Sequence, residues 1–211
     1  MILRHHHVIS IIGLAMLVVT LTGCAGASAG PTTPILAATV SASDPARLNS
    51  SPTPMPTTTA FDASAMPVAP RELAGPPSGA AAAEVVKYFF SLFPYIQATG
   101  DLSRWDALTG YPCTYCGNVR SMARDIIAAD HHSVGGEIEF LQVDVHDYAP
   151  NEYAVLAWYV EHPSQVLDSG GRVVKDFPDT LTASADMHVS WRHGGWKIDA
   201  VVVDVYQRER R

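Results

Sequence analysis

The sequence predicts an α+β domain over residues 80 to 211, with N-terminal helices packed in a curved, bulged antiparallel sheet. Three observations predict it. Apolar residues recur at helical spacing from Val85 to Ile127, and from Ile138 onward the period falls to two. The two-residue alternation slips by one position at Phe140-Leu141, which marks a bulge. All four Trp follow residue 100, whereas the 55 residues from Ala25 to Gly79 hold a single aromatic, Phe61.

The whole chain has 211 residues, 47% of them hydrophobic, with 14 Lys+Arg against 21 Asp+Glu and 3 Cys. That is enough for one domain with appendages, and it excludes collagen, coiled coil and polytopic membrane protein. The formal charge of -7 is spread out, and the most basic stretch is only Gln207-Arg208-Glu209-Arg210-Arg211, so a nucleic-acid partner is not expected.

Residues 1 to 23 read as a secretory signal: a basic start containing Arg4, an apolar run from Val8 to Leu21, and small residues before Cys24. The run is 14 residues, against the roughly 20 a helix needs to cross a bilayer. Leu21-Thr22-Gly23-Cys24 resembles the lipobox of bacterial lipoproteins. The resemblance implies lipidation of Cys24, a lipid anchor in the cell membrane and a domain facing the extracytoplasmic side. Two or three acyl chains on one Cys hold a protein durably where a single chain does not. His5, His6 and His7 fall in the segment that is removed and receive no role.

Residues 24 to 79 follow as a lipidated Cys and a linker. From Ala25 to Gly79 there are 10 Pro, 4 Gly, 7 Ser and 7 Thr, a composition that predicts a disordered tether. Its random-coil span is about 40 Å and its fully extended limit about 170 Å.

The folded part begins with Ser78 capping a helix that carries Val85, Phe89, Leu92, Phe93 and Ile96, with Pro94 inside it and Thr99-Gly100-Asp101 ending it. A short helix presents Leu102, Trp105 and Leu108, and a third runs from about Cys113 to Asp130 with a stripe of Tyr115, Val119, Met122, Ile126 and Ile127. The first strand is expected at Ile138 to Val145. Tyr153 to Val160 is apolar on both faces, as a central strand is, and Leu181 to Trp191 alternates with one wet face. Gly194-Gly195 predicts a tight hairpin placing Trp191 opposite Ile198, Val189 opposite Ala200 and Met187 opposite Val202. A smaller hairpin is expected around Ser169-Gly170-Gly171.

Helices followed by such a sheet, ending in Trp191-Arg192-His193-Gly194-Gly195-Trp196-Lys197-Ile198, are similar to the nuclear transport factor two-like cone; a cystatin-like wrap is the alternative. Residues 80 to 204 more specifically resemble an uncharacterised actinobacterial lipoprotein family, domain of unknown function 6318. The residues that carry this are Tyr95, Ala98-Thr99-Gly100-Asp101, Leu108, Cys113-x-x-Cys116, Gly135-Gly136-Glu137-Ile138 and Phe177-Pro178. The resemblance implies fold and location and transfers no catalytic residue.

Candidate chemistry lies in three places. With Cys24 lipidated, Cys113 and Cys116 remain as an exported pair, read as a structural disulfide. The alternatives are a thiol-disulfide redox pair, with Cys113 activated at a helix start, and a metal site drawing on His131, His132 or His146. No metal or cofactor is expected. Asp186, His188, Ser190 and Arg192 share one strand face, with Lys197 and Asp199 across the hairpin, and read as a solvated surface. His162 before Pro163 reads as a strand end. The aromatics Tyr88, Phe89, Phe90, Phe93, Tyr95, Trp158 and Tyr159 serve as core, or alternatively line a cavity for an apolar ligand.

The reading that follows is a membrane-anchored cell-envelope lipoprotein with a non-catalytic binding or accessory domain. Its partners would be the membrane through Cys24 and either an envelope protein or a small apolar ligand. The alternatives are a small-molecule enzyme using the cone cavity and a redox protein using Cys113 and Cys116.

Overall fold

A computed structural model describes residues 61 to 210. The signal segment, Cys24 and the tether as far as residue 60 lie outside the described residues.

Residues 61 to 79, expected as part of the tether, are described and hold contacts with the domain. Ala63 is buried, a short 3₁₀ helix forms at Arg71–Ala74, and Leu73 packs on the hydrophobic core. The Trp196 indole N–H donates to the Glu72 carbonyl at 2.9 Å. Composition missed this segment because its order rests on a few anchors rather than on a core of its own.

Helix α1 (Gly79–Thr99) starts as expected, with the Ser78 side chain accepting from the Ala81 N–H, and closes at Gly100. It buries Val85, Val86, Phe89, Leu92 and Ile96. Asp101 then accepts from the Ser103 N–H at 3.0 Å and from the Tyr95 hydroxyl at 3.0 Å, setting the start of α2 (Ser103–Leu108). Trp105 of α2 is fully buried and stacks on Phe89, with ring centroids 4.2 Å apart. Helix α3 (Thr114–Ala128) follows. Its buried residues are Cys116, Val119 and Ala123, and the expected stripe is therefore turned: Met122 and Ile127 are exposed. Small residues let α3 lie close to its neighbours, so the larger apolar side chains fall outside the contact.

Seven strands follow: β1 (His131–Gly135), β2 (Ile138–Ala149), β3 (Glu152–Glu161), β4 (Ser164–Asp168), β5 (Val173–Phe177), β6 (Asp179–Arg192) and β7 (Gly195–Arg210). They form two antiparallel sheets, β1-β4-β5 and β2-β3-β6-β7, where one curved sheet was expected. The division falls at Gly136-Glu137 on one strand path and at His162-Pro163 on the other, where two backbone bonds, from the Gly136 N–H to the Pro163 carbonyl and from the His162 N–H to the Glu137 carbonyl, still join the paths. β1 was not foreseen at all.

The bulge does fall beside Leu141, between Phe140 and Gln142, and the Ser169-Gly170-Gly171 hairpin forms between β4 and β5. β3 is central, flanked by β2 and β6. Its inner residues Tyr153, Val155, Ala157 and Tyr159 are buried, and Phe90 of α1 lies 5.0 Å from the Tyr159 ring. The last hairpin turns one residue earlier than expected. His193 and Gly194, at φ 54 and 76, form the two-residue loop, so Trp191 faces Trp196 and Val189 faces Ile198. This is the left-handed pair that a primed hairpin turn demands. A bulge at Asp199 then shifts the register, so Met187 meets Val201 and His188 meets Ala200.

Candidate functional site

The bulge in β7 explains the first cluster. Asp199 is the extra residue between the pairs Val189 with Ile198 and His188 with Ala200, and its side chain is almost fully buried. Its carboxylate accepts from the Ser190 hydroxyl at 2.5 Å and from the Arg192 guanidinium. Gly110 lies directly against it: the Gly110 N–H donates to the Ile198 carbonyl, and an added Cβ would overlap the Asp199 carboxylate. His188 Nδ1 is 3.9 Å from the same carboxylate, and Nε2 is 3.2 Å from Glu152. The expected solvated surface is thus partly wrong: Asp186 is exposed, whereas Ser190 and Asp199 are buried in a shared network.

The Ser190 hydroxyl donates to the carboxylate and not to His188, so the three do not form a Ser–His–Asp relay. Lys197 stands apart from the cluster, its ammonium donating to the Ala107 carbonyl.

Cys113 and Cys116 are joined as a disulfide at the start of α3, with Cα atoms 5.3 Å apart. Both residues are buried, and the Trp105 indole N–H donates to the Cys116 carbonyl. His131 and His132 lie on β1 and His146 on β2, away from the pair in the chain's topology, and no metal-binding cluster of His, Cys, Asp or Glu forms among the described residues.

A second polar cluster was missed. Inner-face residues of β3 end in Tyr159 and Glu161, and Tyr115 of α3 lies close enough for its phenol to sense both. Burial pushes the Glu161 carboxyl above its ordinary range and pushes both phenols up; neighbouring Glu161 adds to the effect on the tyrosines. None of these three side chains has a hydrogen-bond partner among the described residues' side-chain bonds. Glu161 was overlooked because at the end of an apolar strand it reads as a polar terminus.

The third feature is a groove of about 590 Å³ between α3 and the β4–β5 hairpin. Met122 and Ile126 form one wall, Val166, Val174 and Phe177 the other, and Asn118, Ser121, Asp125, His131 and Lys175 give it polar edges. The Lys175 ammonium sits 4.7 Å over the Phe177 ring. The aromatics read as core are core: Phe89, Phe90, Tyr95 and Tyr159 are packed in it, and none of them lines this groove. Trp158 points to the opposite face of the sheet, against Tyr206.

An α+β domain with antiparallel sheets, a buried disulfide and an apolar groove is the class these features define. The chain belongs to a family of unknown function, DUF6318, whose model matches residues 62–202. The match begins at the ordered segment before α1, not at residue 80. No curated protein matches the chain. Among solved structures it is similar to the intermembrane space region of the chloroplast protein ARC6, at 13% identity and TM-score 0.47, covering 62% of this chain and 98% of that one. It is also similar to a protein with a cystatin-like fold from Caulobacter vibrioides (10%, TM-score 0.38, covering 61% and 88%). A third is the Kfla4162 protein from Kribbella flavida (10%, TM-score 0.40, covering 62% and 95%).

Proposed function

We propose that this chain is a lipid-anchored cell-envelope protein whose folded part is a non-catalytic binding domain, holding a small apolar ligand in the groove between α3 and β4–β5. The two sheets and helices are read as a variant of the nuclear transport factor two-like or cystatin-like cone. One observation carries the binding role: Met122 from a helix and Val174 and Phe177 from a hairpin are exposed, yet they face one groove. Apolar side chains scattered singly need no explanation, whereas a concave set from two elements, edged by a few polar groups, has the form of a ligand site. The anchoring role rests on Leu21-Thr22-Gly23-Cys24.

The test is uptake of the apolar fluorophore N-phenyl-1-naphthylamine by the full chain in non-ionic detergent below its micellar concentration. Saturable uptake that falls at least tenfold in Met122→Glu, with an unchanged melting temperature, supports the groove. Equal uptake by wild type and variant sinks it.

A second reading is favoured by Glu161, Tyr159 and Tyr115. A carboxyl with a raised pKa beside two phenols is suited to moving a proton next to a carbonyl. This is the small-molecule enzyme, and turnover lost in Glu161→Gln with the fold intact distinguishes it from the binding domain.

A further inference from the structure

The outer face of the four-stranded sheet is aromatic at its centre and acidic around it. Direct strand partners share a face, so the register defines two rows: Gln142, Trp158, Ser184 and Asp204, then Asp144, Leu156, Asp186 and Val202. A bulge in β7 makes Tyr206 the extra residue between the pairs Ala183 with Val205 and Thr182 with Gln207. Its ring leans over the small Ser184 and lies 4.9 Å from Trp158 at 34°, and the Ser184 hydroxyl donates to the Tyr206 oxygen at 3.2 Å. Val202 and Tyr206 are 62% and 60% exposed, far above any core residue.

The charges in these two rows are of one sign. Asp144, Asp186 and Asp204 form no ion pair among the described residues. Strands β2 and β3 contain no Lys or Arg. In β6 and β7 the cations stand at the ends: Arg192 is tied to Asp199, Lys197 to Ala107, and Arg208 and Arg210 to Asp179. Asp144 and Asp186 lie two strands apart, roughly 10 Å, and Asp186 and Asp204 are diagonal neighbours at roughly 7–8 Å.

We propose that this face docks an extended, arginine-rich segment of a partner protein. Guanidinium groups stack on Tyr206 and Trp158 and reach Asp186, Asp204 and Asp144. Alternate residues of an extended peptide are roughly 6.5–7 Å apart, which brings successive Arg side chains within reach of carboxylates at these separations. The charge pattern excludes acidic occupants and this chain's own tether. A second copy would set three carboxylates against three, a nucleic acid or anionic lipid surface would be repelled, and this chain's own residues 25 to 60 contain one cation, Arg47.

The test uses the full chain in non-ionic detergent and a labelled (Arg-Gly)₅ peptide, read by fluorescence anisotropy at low salt and at 0.3 M salt. Three forms are compared with wild type: Asp144→Asn/Asp186→Asn/Asp204→Asn; a control with the same change of charge elsewhere, Glu84→Gln/Glu137→Gln/Asp147→Asn; and Tyr206→Leu. Circular dichroism melts verify that each is folded. The expected result is about a tenfold loss of affinity in the first triple variant, since each exposed pair contributes a few-fold. The control should stay within about twofold, Tyr206→Leu should lose several-fold, and salt should weaken wild type most. An equal loss in the control means diffuse attraction to an acidic protein and overturns the proposal. It is also overturned if a neutral oligosaccharide binds the face in preference to the peptide, or if the chain dimerises through it.

Discussion

Removing Arg192 should destabilise the domain more than its surface position suggests. Its guanidinium is the cation of the Asp199 carboxylate, whose side chain is 10% exposed while that of Arg192 is 42% exposed. Arg192→Ala leaves that carboxylate beneath Gly110 with the Ser190 hydroxyl as its remaining close donor. Stranding one partner of a fully buried pair costs ~3–5 kcal/mol. Water reaching the open side of Arg192 reduces this to about 2 kcal/mol here. Asp199→Ala removes the charge itself and leaves one buried hydroxyl without its acceptor, a loss of about 1–2 kcal/mol. The double variant has neither a stranded charge nor an ion pair, so it should be no less stable than Arg192→Ala. The coupling is then about 1–2 kcal/mol, measurable by urea denaturation followed by circular dichroism across a double-mutant cycle. For a domain of this size the Arg192→Ala melting temperature should fall by about 4–8 °C. Additivity within about 0.5 kcal/mol, or an Arg192→Ala variant as stable as wild type, refutes the idea of a buried carboxylate held by its cation.

Four further outcomes are expected. Glu161→Gln should stabilise the domain at neutral pH: the folded carboxyl titrates above its unfolded value of 4.5, so wild-type stability falls as pH rises through that window, and the gain over wild type should vanish below it. A gain that persists at pH 3, tracked by melts from pH 3 to 8, removes burial as the cause. Reduction of Cys113 and Cys116 should lower the melting temperature without unfolding the chain, because a loop with a separation of 3 restricts the unfolded state less than the ~3 kcal/mol of a 15-residue loop; thiol counting before and after gives the comparison. Cys24→Ala should move the protein from the membrane fraction to the soluble one and abolish any acyl mass, and retention at the membrane would contradict the anchor. A fragment starting at residue 80 should melt below one starting at residue 61, having lost Leu73 and the bond from Trp196 to Glu72, and equal melting would make the early segment dispensable.

How far the fold could be read from the chain depended on how local each signal is. Ser78, Gly100 and the period of Val85, Phe89, Leu92 and Ile96 act within a few residues, and α1 begins and ends where they place it. The bulge at Leu141 was visible because a slip of one residue in a two-residue period moves an apolar side chain to the other face. The hairpin register was not visible, because His193 takes the left-handed conformation usually left to Gly or Asn, and the bulge at Asp199 has no local marker. The same bulge separates the pairing of Ser190 with Asp199 from simple alternation, which is why the cluster read as an open surface. The groove was hidden for a different reason. Met122 and Ile126 look like core residues on a helical wheel, and only the docking of α3 through Cys116 and Ala123 leaves them facing the β4–β5 hairpin.

The tip of the β6–β7 hairpin joins parts of the chain that are far apart in sequence. Trp196 bonds to Glu72 across 124 residues, Lys197 bonds to Ala107 across 90, and Ile198 pairs with Thr109. Closing loops of that length precedes any reward from the contacts they make, so folding is slow compared with that of a helical bundle. The hairpin tip is therefore one closure shared by the early segment, α2 and the sheet, and loosening it loosens all three.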